Sequence, residues 1–360
     1  MRRAVTVLPG AGSRSGRESG YEMDVRSTRS PAMTDVAKLA GVSHQTVSRV
    51  LNDHPNVREQ TRLRVRAAIA ELGYRPNRAA RALVTGRSQL IGIVAQNSTL
   101  YGPASLLAAF EQAAAEAGFA VSVGSVGRLD RESIAGAVER HLDQRVAGLV
   151  VIAPVASADD ALEDMPAGVP LVTIDGDPAR PHALVTVDQA AGARLATERL
   201  LRAGHRTVWH VSGPADWYDA AGRIEGWRAS LEAAGAEVPP LVPGDWSAAS
   251  GYDAGQMLAR MPEVTAVFAA NDHQALGLLR AFSERGRRVP DDVSVIGFDD
   301  VPEAAFLIPP LTTVRPAFDA VAHAGLDLLL GQITGENEGP ERVVIAPTLV
   351  ERASVANISA

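Results

Sequence analysis

The stretch from Thr34 to Asn52, TDVAKLAGVSHQTVSRVLN, leaves this chain the fewest ways to fold. Val36, Leu39 and Ala40 recur at the i, i+3, i+4 spacing that gives a helix one apolar face. Gly41 follows, free to take the left-handed backbone of a sharp turn. Ser43 is placed to cap a second helix through its side-chain oxygen. Val47, Val50 and Leu51 then repeat the apolar spacing. Burying that face turns His44, Gln45, Ser48 and Asn52 outward beside Arg49. The periodicity alone fits any helical hairpin. An exposed row of short hydrogen-bonding side chains next to an arginine also fits the base edges and phosphates of a DNA major groove, as in a helix-turn-helix head.

Charge supports the second reading. The chain as a whole carries −7, which taken alone argues against nucleic acid. Its distribution reverses that argument: residues 1–90 hold 16 basic and 7 acidic side chains, so +9, and the remainder holds 19 and 35, so −16. A basic head on an acidic body is the asymmetry of a DNA-binding module joined to something that avoids DNA. The 360 residues suffice for two or three domains. With no cysteine, disulfides, thiolate metal sites and thiol catalysis are excluded. The apolar runs are of strand length, too short to span a bilayer. The opening MRRAVTVLPGAG is broken by Pro9 and does not read as a signal peptide, so the expected location is the cytoplasm.

Around the helix pair the chain reads as follows. Residues 1–31 are rich in Gly, Ser and Arg without apolar period and are expected to form a disordered arm, or a dispensable extension with Met23 or Met33 as the start. A third helix is expected over 59–73, with Val65, Ile69 and Leu72 inward, Gly73 ending it, and Arg62, Arg64 and Arg66 outward toward phosphates. Pro76 breaks that helix, and Asn77 can cap a short one through Ala79, Ala80, Ala82 and Leu83, too short to stand alone.

From Ser88 onward short apolar strands alternate with amphipathic helices: LIGIVA, FAVSVG, VAGLVVIAP, PLVTID and ALVTVD in one set, TVWHVSG, TAVFAA and VSVIGFDD in a second, the alternation running to Asp300. Continuous apolar strands between helices are parallel strands buried on both faces. The fold class expected is α/β, an all-α helix-turn-helix head followed by a core of two doubly wound parallel-sheet subdomains resembling periplasmic binding proteins. Ligands of such sheets bind at the carboxyl ends of the strands, in the cleft. Asp175, Asn271 and Asp299 fall at strand ends, Arg223 early in a helix, and Trp246 in the loop GDWSA. Carboxylates, an amide and a guanidinium suit neighbouring hydroxyls, and an indole suits the apolar face of a sugar ring. Singly each has a plainer reading: Asp175 and Arg223 as an ion pair, Trp246 as core, Asp188 and Asp300 as helix caps.

The string TDVAKLAGVSHQTVSRVLN resembles the opening signature of the LacI/GalR family of bacterial transcription regulators, departing only in its first residues. The likeness runs from Thr34 to about Ser354 through GVSHQTVSRV, LIGIV, QRVAGLVV, GDWSAASG, ANDHQALG, VSVIGFDD and IPPLTTV, and is greatest to a sugar-responsive member. Beyond the disordered extension expected over 1–31, it implies a head over 32–76, a hinge helix and linker over 77–87, and a ligand-binding and dimerisation core over 88–360. The core's halves would be about 88–187 with 316–345, and 188–313 with 346–360. It implies DNA contacts from Thr34, Ser43, His44, Gln45, Thr46, Ser48, Arg49, Asn52, Asn56, Thr61, Asn77 and Ala80, and a minor-groove wedge from Leu83. It implies an effector pocket of Leu100, Gly102, Pro103, Leu106, Asp175, Arg223, Trp246, Asn271, His273, Asp299, Phe318 and Val321. No metal and no cofactor are implied.

The function so implied is sequence-specific repression, relieved by a small sugar inducer, a galactoside. The alternative within the family is a co-repressor-type regulator with a purine or another sugar or phosphosugar as effector. His273, Val187, Ile152, Trp217 and Asp219 all depart from the sugar-responsive member at the wall that reads the sugar, and His44 departs at the bases. No heptad helix follows Ile358, so the expected assembly is a homodimer on a pseudo-palindromic operator. A periplasmic sugar-binding protein would need a leader and no helix-turn-helix. An enzyme would need a motif such as a P-loop or G-x-S-x-G, which is lacking. Asp299 and Asp300, if neighbours on a strand, point to opposite faces and do not make a glycosidase pair.

Overall fold

The computed structural model describes residues 31–51, 53–74, 88–158, 161–162, 165, 168–177, 180, 182–336 and 341–358. The chain divides into two compact units, Met1–Arg81 and Ala82–Ala360.

In the first unit α1 (Met33–Ala40), α2 (His44–Leu51) and α3 (Glu59–Leu72) enclose a small core of Val36, Ala37, Ala40, Val47, Val50, Val65, Ala68 and Tyr74. Gly41 takes φ 63° and Gly73 φ 61°, the left-handed ends that stop α1 and α3. The Ser43 hydroxyl accepts the Thr46 N–H at 3.2 Å and so caps α2. Leu39, expected inward, is 46 % exposed: the buried arc of α1 is centred on Val36, Ala37 and Ala40, and Leu39 falls beyond its edge. The arm over 1–30 and the hinge segment over 77–87 lie outside the described residues.

The second unit contains two sheets. β1 (Leu90–Gln96), β2 (Ala120–Val126), β3 (Gly148–Ile152), β4 (Leu171–Ile174), β5 (Ala183–Val187) and β10 (Arg342–Ile345) form a parallel sheet in the order β10-β5-β4-β3-β1-β2. β6 (Trp209–Val211), β7 (Ala266–Ala269), β8 (Ser294–Phe298) and β9 (Thr312–Arg315) run parallel in the other, with β11 (Thr348–Val350) antiparallel at its edge, in the order β11-β9-β8-β7-β6. Alternate residues of each central strand enter different cores, as double winding requires. In β1, Ile91 and Ile93 pack with Leu106 and Phe110 of α4 (Tyr101–Glu116) and with Leu326 and Leu329 of α10 (Phe318–Thr334). Val94 faces the other way, toward Ile134 and Val138 of α5 (Arg131–Asp143). In β7, Val267 and Ala269 meet Leu258 of α8 (Ala248–Leu258) and Leu278 and Phe282 of α9 (Asp272–Glu284). Phe268 meets Leu200 of α6 (Gln189–Arg202) and Trp227 of α7 (Tyr218–Ala233). Each such side chain contributes about 1.5–3 kcal/mol on burial.

The chain passes between the sheets three times: from β5 to α6, from β9 to α10, and from β10 to β11. Asp188 caps α6 at the first passage, its Oδ1 accepting the Ala191 N–H at 2.7 Å. Among the described residues no helix is long and apolar enough to cross a membrane.

Candidate functional site

On the head, Thr34, Ser43, His44, Gln45, Arg49 and Asn56 are exposed, and Thr46, Ser48 and Thr61 are half-buried. Asn52, Asn77, Ala80 and Leu83 lie outside the described residues. Arg64 and Arg66 are exposed, but Arg62 is not a free phosphate ligand. Its guanidinium donates to Asp53 at 2.9 Å and to the His54 carbonyl at 3.1 Å, and its side chain is only 14 % exposed. It fastens the turn between α2 and α3 instead.

In the second unit a cavity lies at the carboxyl ends of the strands of both sheets. Arg223 is its centre. α7 carries it inward, 4 % exposed, with the guanidinium carbon 3.7 Å from the centre of the Phe298 ring and 5.3 Å from that of Trp246. Nε donates to the Gln189 side chain at 2.9 Å, and another nitrogen donates to the Ala270 carbonyl. The remaining nitrogen stands 3.7 Å from Asp219 and 3.8 Å from Asp299, an attraction held in place by burial.

The three carboxyl groups facing the cavity are all raised. Burial pushes Asp175 up to about 7, with the neighbouring Asp219 adding to it, while the Thr186 hydroxyl and the Val187 N–H pull against the rise. Burial also pushes Asp299 up to about 7 against the pull of Arg223. Asp219 is raised by the same cause.

Local sequence explains how these side chains are held. Asp175 (φ 55°), Trp246 (φ 72°) and Asp299 (φ 104°) all occupy the left-handed half of backbone space, uncommon without glycine, and such strain gathers at functional positions. In GDWSAAS, Asp245 accepts the Ser247 N–H and hydroxyl at 2.9 and 2.6 Å, and Ser247 caps α8 through the Ser250 N–H at 3.1 Å. Asn271 caps α9 and donates to the Trp246 carbonyl at 3.0 Å. The Trp246 ring lies directly on Gly213, where a Cβ would stand 2.2 Å from two ring carbons. Asp272, buried behind the wall, accepts the Thr313 hydroxyl at 2.6 Å and the Val301 N–H at 2.9 Å and pins the turn that carries Asp299. Among the described residues no group of three or more His, Asp or Glu is placed to hold a metal.

Residues 32–77 match the family described as bacterial regulatory proteins, lacI family, and residues 197–355 match the periplasmic binding protein-like domain. The chain is 38 % identical over 306 residues to the lactose operon repressor of Escherichia coli (strain K12), covering 84 % of each. It is likewise 38 % identical over 341 residues to the HTH-type transcriptional regulator CelR of Thermobifida fusca, covering 91 % of this chain and 98 % of that one. The chain belongs to the LacI family. A solved lac repressor dimer bound to operator and the anti-inducer ONPF superposes with a TM-score of 0.82 at 35 % identity, over 91 % of this chain and all of that one. A CelR–cellobiose complex superposes with a TM-score of 0.67 at 33 % identity, over 90 % and 99 %. The relatives named are transcriptional regulators, not enzymes.

Of the pocket residues that the family likeness implies, Leu100, Gly102, Pro103, Leu106, Asp175, Arg223, Trp246, Asn271, Asp299 and Phe318 line this cavity. His273 and Val321 do not. His273 is half-buried on α9, two residues past Asn271, which caps that helix and lines the cavity. Val321 is fully buried in the core between α10 and the six-stranded sheet, one turn past Phe318. Ile152, Trp217 and Asp219, marked in the sequence only as departures, line the cavity too, and so does Gln189. Gln189 has no signal in the sequence beyond being a polar residue at a crossing between subdomains. Asp299 and Asp300 part company, yet not by strand alternation: β8 ends at Phe298, and both lie in the turn beyond it, at φ 104° and 49°. Asp300 is bound by Arg315 and Arg352 and caps no helix, whereas Asp299 faces the cavity.

Proposed function

We propose that this chain is a sequence-specific transcriptional repressor, dimeric on a pseudo-palindromic operator and released from it by a small glycoside, a galactoside in the first instance. The observation that carries this is the buried Arg223, set among carboxyl groups and flanked by indoles in a cleft between two sheets, in a chain that begins with a basic helix-turn-helix. Polar groups on one wall and Trp217 and Trp246 beside them suit a polyol with one apolar face. A phosphosugar fits poorly, because three carboxylates oppose it. A purine co-repressor is the other family reading. It would reverse the sign of the response.

In this reading the head docks α2 into the major groove, and the segment from Asn77 to Leu83 forms the hinge that reports on the cleft. A glycoside that engages Asp175 from one half and Arg223 from the other draws the halves together and separates the paired hinges. Coupling of this kind is reciprocal, so operator binding weakens glycoside binding by the same factor. Phe306 and Ile308, 84 % and 93 % exposed, and the exposed Met257 and Leu276 belong to the half built on the five-stranded sheet, and a second copy covering them would account for their exposure. The site binds and does not turn over its ligand, and the protein works in the cytoplasm, where its DNA is.

The experiment is fluorescence anisotropy of the full chain on a labelled lac-type palindromic operator, titrated with a galactoside. Tight, salt-dependent binding that the galactoside releases is expected. Binding that appears only with added purine makes the protein a co-repressor-type regulator, and no operator binding in either condition removes the reading. In the same assay Leu83→Ala weakens operator binding while calorimetric glycoside affinity stays put; unchanged operator affinity would take the hinge out of the account.

A further inference from the structure

The cleft holds more negative charge than its arginine offsets. Asp175 follows β4, Asp219 lies in the first turn of α7, and Asp299 follows β8; all three line one cavity, and Arg223 is the one positive side chain lining it among the described residues. Three carboxylates against one guanidinium leave two negative charges in excess. No neighbouring element supplies the difference. Gln189 at the start of α6 and Asn271 before α9 are neutral, and α4 and α10 present Leu100, Tyr101 and Phe318. Behind the wall, Asp272 adds a further carboxyl, itself raised by burial. Asp188 faces Arg194 at 3.9 Å, and Arg315 and Arg352 are taken up by Asp300.

The aromatic lining adds a second observation. Trp246 lines the same cavity, 5 % exposed, and its indole Nε1 has no hydrogen-bond partner, a donor that an acceptor such as a sugar hydroxyl would satisfy. Trp217 stands edge-on to it at 5.5 Å, so the polar groups are flanked by two indole surfaces. A cavity with surplus acidic acceptors and aromatic walls favours a cation over a neutral group, and opposes an anion.

We infer that the effector of this cleft is an amino sugar whose ammonium group sits among Asp175, Asp219 and Asp299, with Asp219 the residue that selects for it. This rests on the reading of the cleft as a glycoside site and narrows it. An ammonium brings three donors and no acceptor, matching a wall of acceptors. It also replaces protons: burial holds Asp175 and Asp299 near 7, so close to neutrality protons offset part of the excess charge, and a bound cation displaces them. Amine affinity therefore rises between pH 6 and pH 8, as long as the amine stays charged, and neutral glycosides lack that rise.

The test is calorimetry on the full-length chain with matched probes: the methyl glycosides of galactose and glucose, and their 2-, 3-, 4- and 6-amino-deoxy counterparts. At least one amine is expected to bind roughly tenfold or more tightly than its hydroxyl partner at neutral pH. That gain should collapse in both Asp219→Asn and Asp219→Ser, and grow from pH 6 to pH 8 in the parent chain. Amines that bind no better than their hydroxyl partners, or a preference that survives both Asp219 variants, overturn the inference. A neutral galactoside that still releases operator while every amine fails removes this inference and leaves the glycoside reading intact; no binding by any probe counts against both.

Discussion

The two walls of the cleft come from the same architecture and do different work. Both are carboxyl-terminal edges of doubly wound sheets. The six-stranded half offers Leu100, Tyr101, Gly102, Pro103, Leu106, Ile152, Pro154 and Phe318, and a single charged group, Asp175. The five-stranded half offers Trp217, Asp219, Arg223, Trp246, Asn271 and Asp299, joined by Gln189. Polar groups are therefore concentrated on one side, and the other side is mostly apolar. The exception is informative. Asp175 accepts the Val187 N–H, at the last residue of β5 before the chain crosses between halves, at 3.4 Å, and the Thr186 hydroxyl at 2.9 Å. A ligand that engages Asp175 thus pulls on the crossing itself, and Gln189, just past it, is already bonded to Arg223.

The largest effect should come from the centre of the polar wall. Arg223→Ala leaves Asp219 and Asp299 buried without a counter-charge, and losing one partner of a buried charged pair costs roughly 2–5 kcal/mol. Effector affinity should fall roughly 30-fold or more, and operator should no longer be released at effector concentrations that release the parent. Normal release would break the comparison at its strongest point. Next comes Gly213→Ala. The added methyl collides with the Trp246 ring, which must move, and the aromatic contact it gives up is worth roughly 0.5–1.5 kcal/mol. Affinity should drop roughly 3- to 10-fold, together with a shift in tryptophan emission; an unshifted spectrum with weakened binding would mean the loss has another source.

Much of this was legible in the sequence, in a graded way. The helix pair was legible because Val36, Ala40, Val47 and Val50 carry a strong period around a Gly turn and a Ser cap. The strands to Phe298 were legible because they are apolar on both faces. Leu39 was misplaced because spacing fixes the direction of a buried arc and not its edge. The alternation read to Asp300 stopped before β9, α10 and β10; the sequence of α10 is apolar nearly all round and shows little period. In the cleft, residue types at strand ends pointed to Asp175, Asn271 and Asp299. Nothing local reveals that Gly213 is a seat for Trp246, 33 positions away, or that Gln189 meets Arg223 at a separation of 34. Val321 and His273, implied by the family likeness, stand three and two residues past Phe318 and Asn271, the cavity-lining residues nearest them in sequence.

A pH series sharpens the electrostatic half of the comparison. Asp175 and Asp299 have folded-state values raised to about 7, above the ordinary carboxylate range. A raised carboxyl favours the folded state while it holds its proton, so stability is fullest in acid and is lost as pH climbs through about 7. His205 and His210 act oppositely: burial lowers both to about 4, so they cost stability as pH falls from their usual value toward 4. Asp299→Asn removes one carboxyl contribution and leaves the histidines alone. The thermal midpoint of this variant relative to the parent should therefore rise from pH 5 to pH 8, without added effector. A difference that stays flat across that range would show that Asp299 titrates normally and that the polar wall is better hydrated than its burial implies.

The smallest effect should come from the apolar side. Phe318 meets Tyr101 edge-on at 6.2 Å and presents no polar atom to the cavity. Phe318→Leu keeps an apolar side chain of related volume, and exchanges of that kind usually cost under about 1.5 kcal/mol in a packed site. Because half-buried Phe318 packs at the margin of its core rather than inside it, a loss of roughly threefold or less in effector affinity is expected, measured beside Gly213→Ala under the same conditions. The order of the two matters more than either value. If trimming Phe318 costs as much as unseating Trp246, the apolar half is reading the ligand's shape, and recognition is shared between the walls; if it costs little, the six-stranded half serves to close, and ligand identity is set by the five-stranded half.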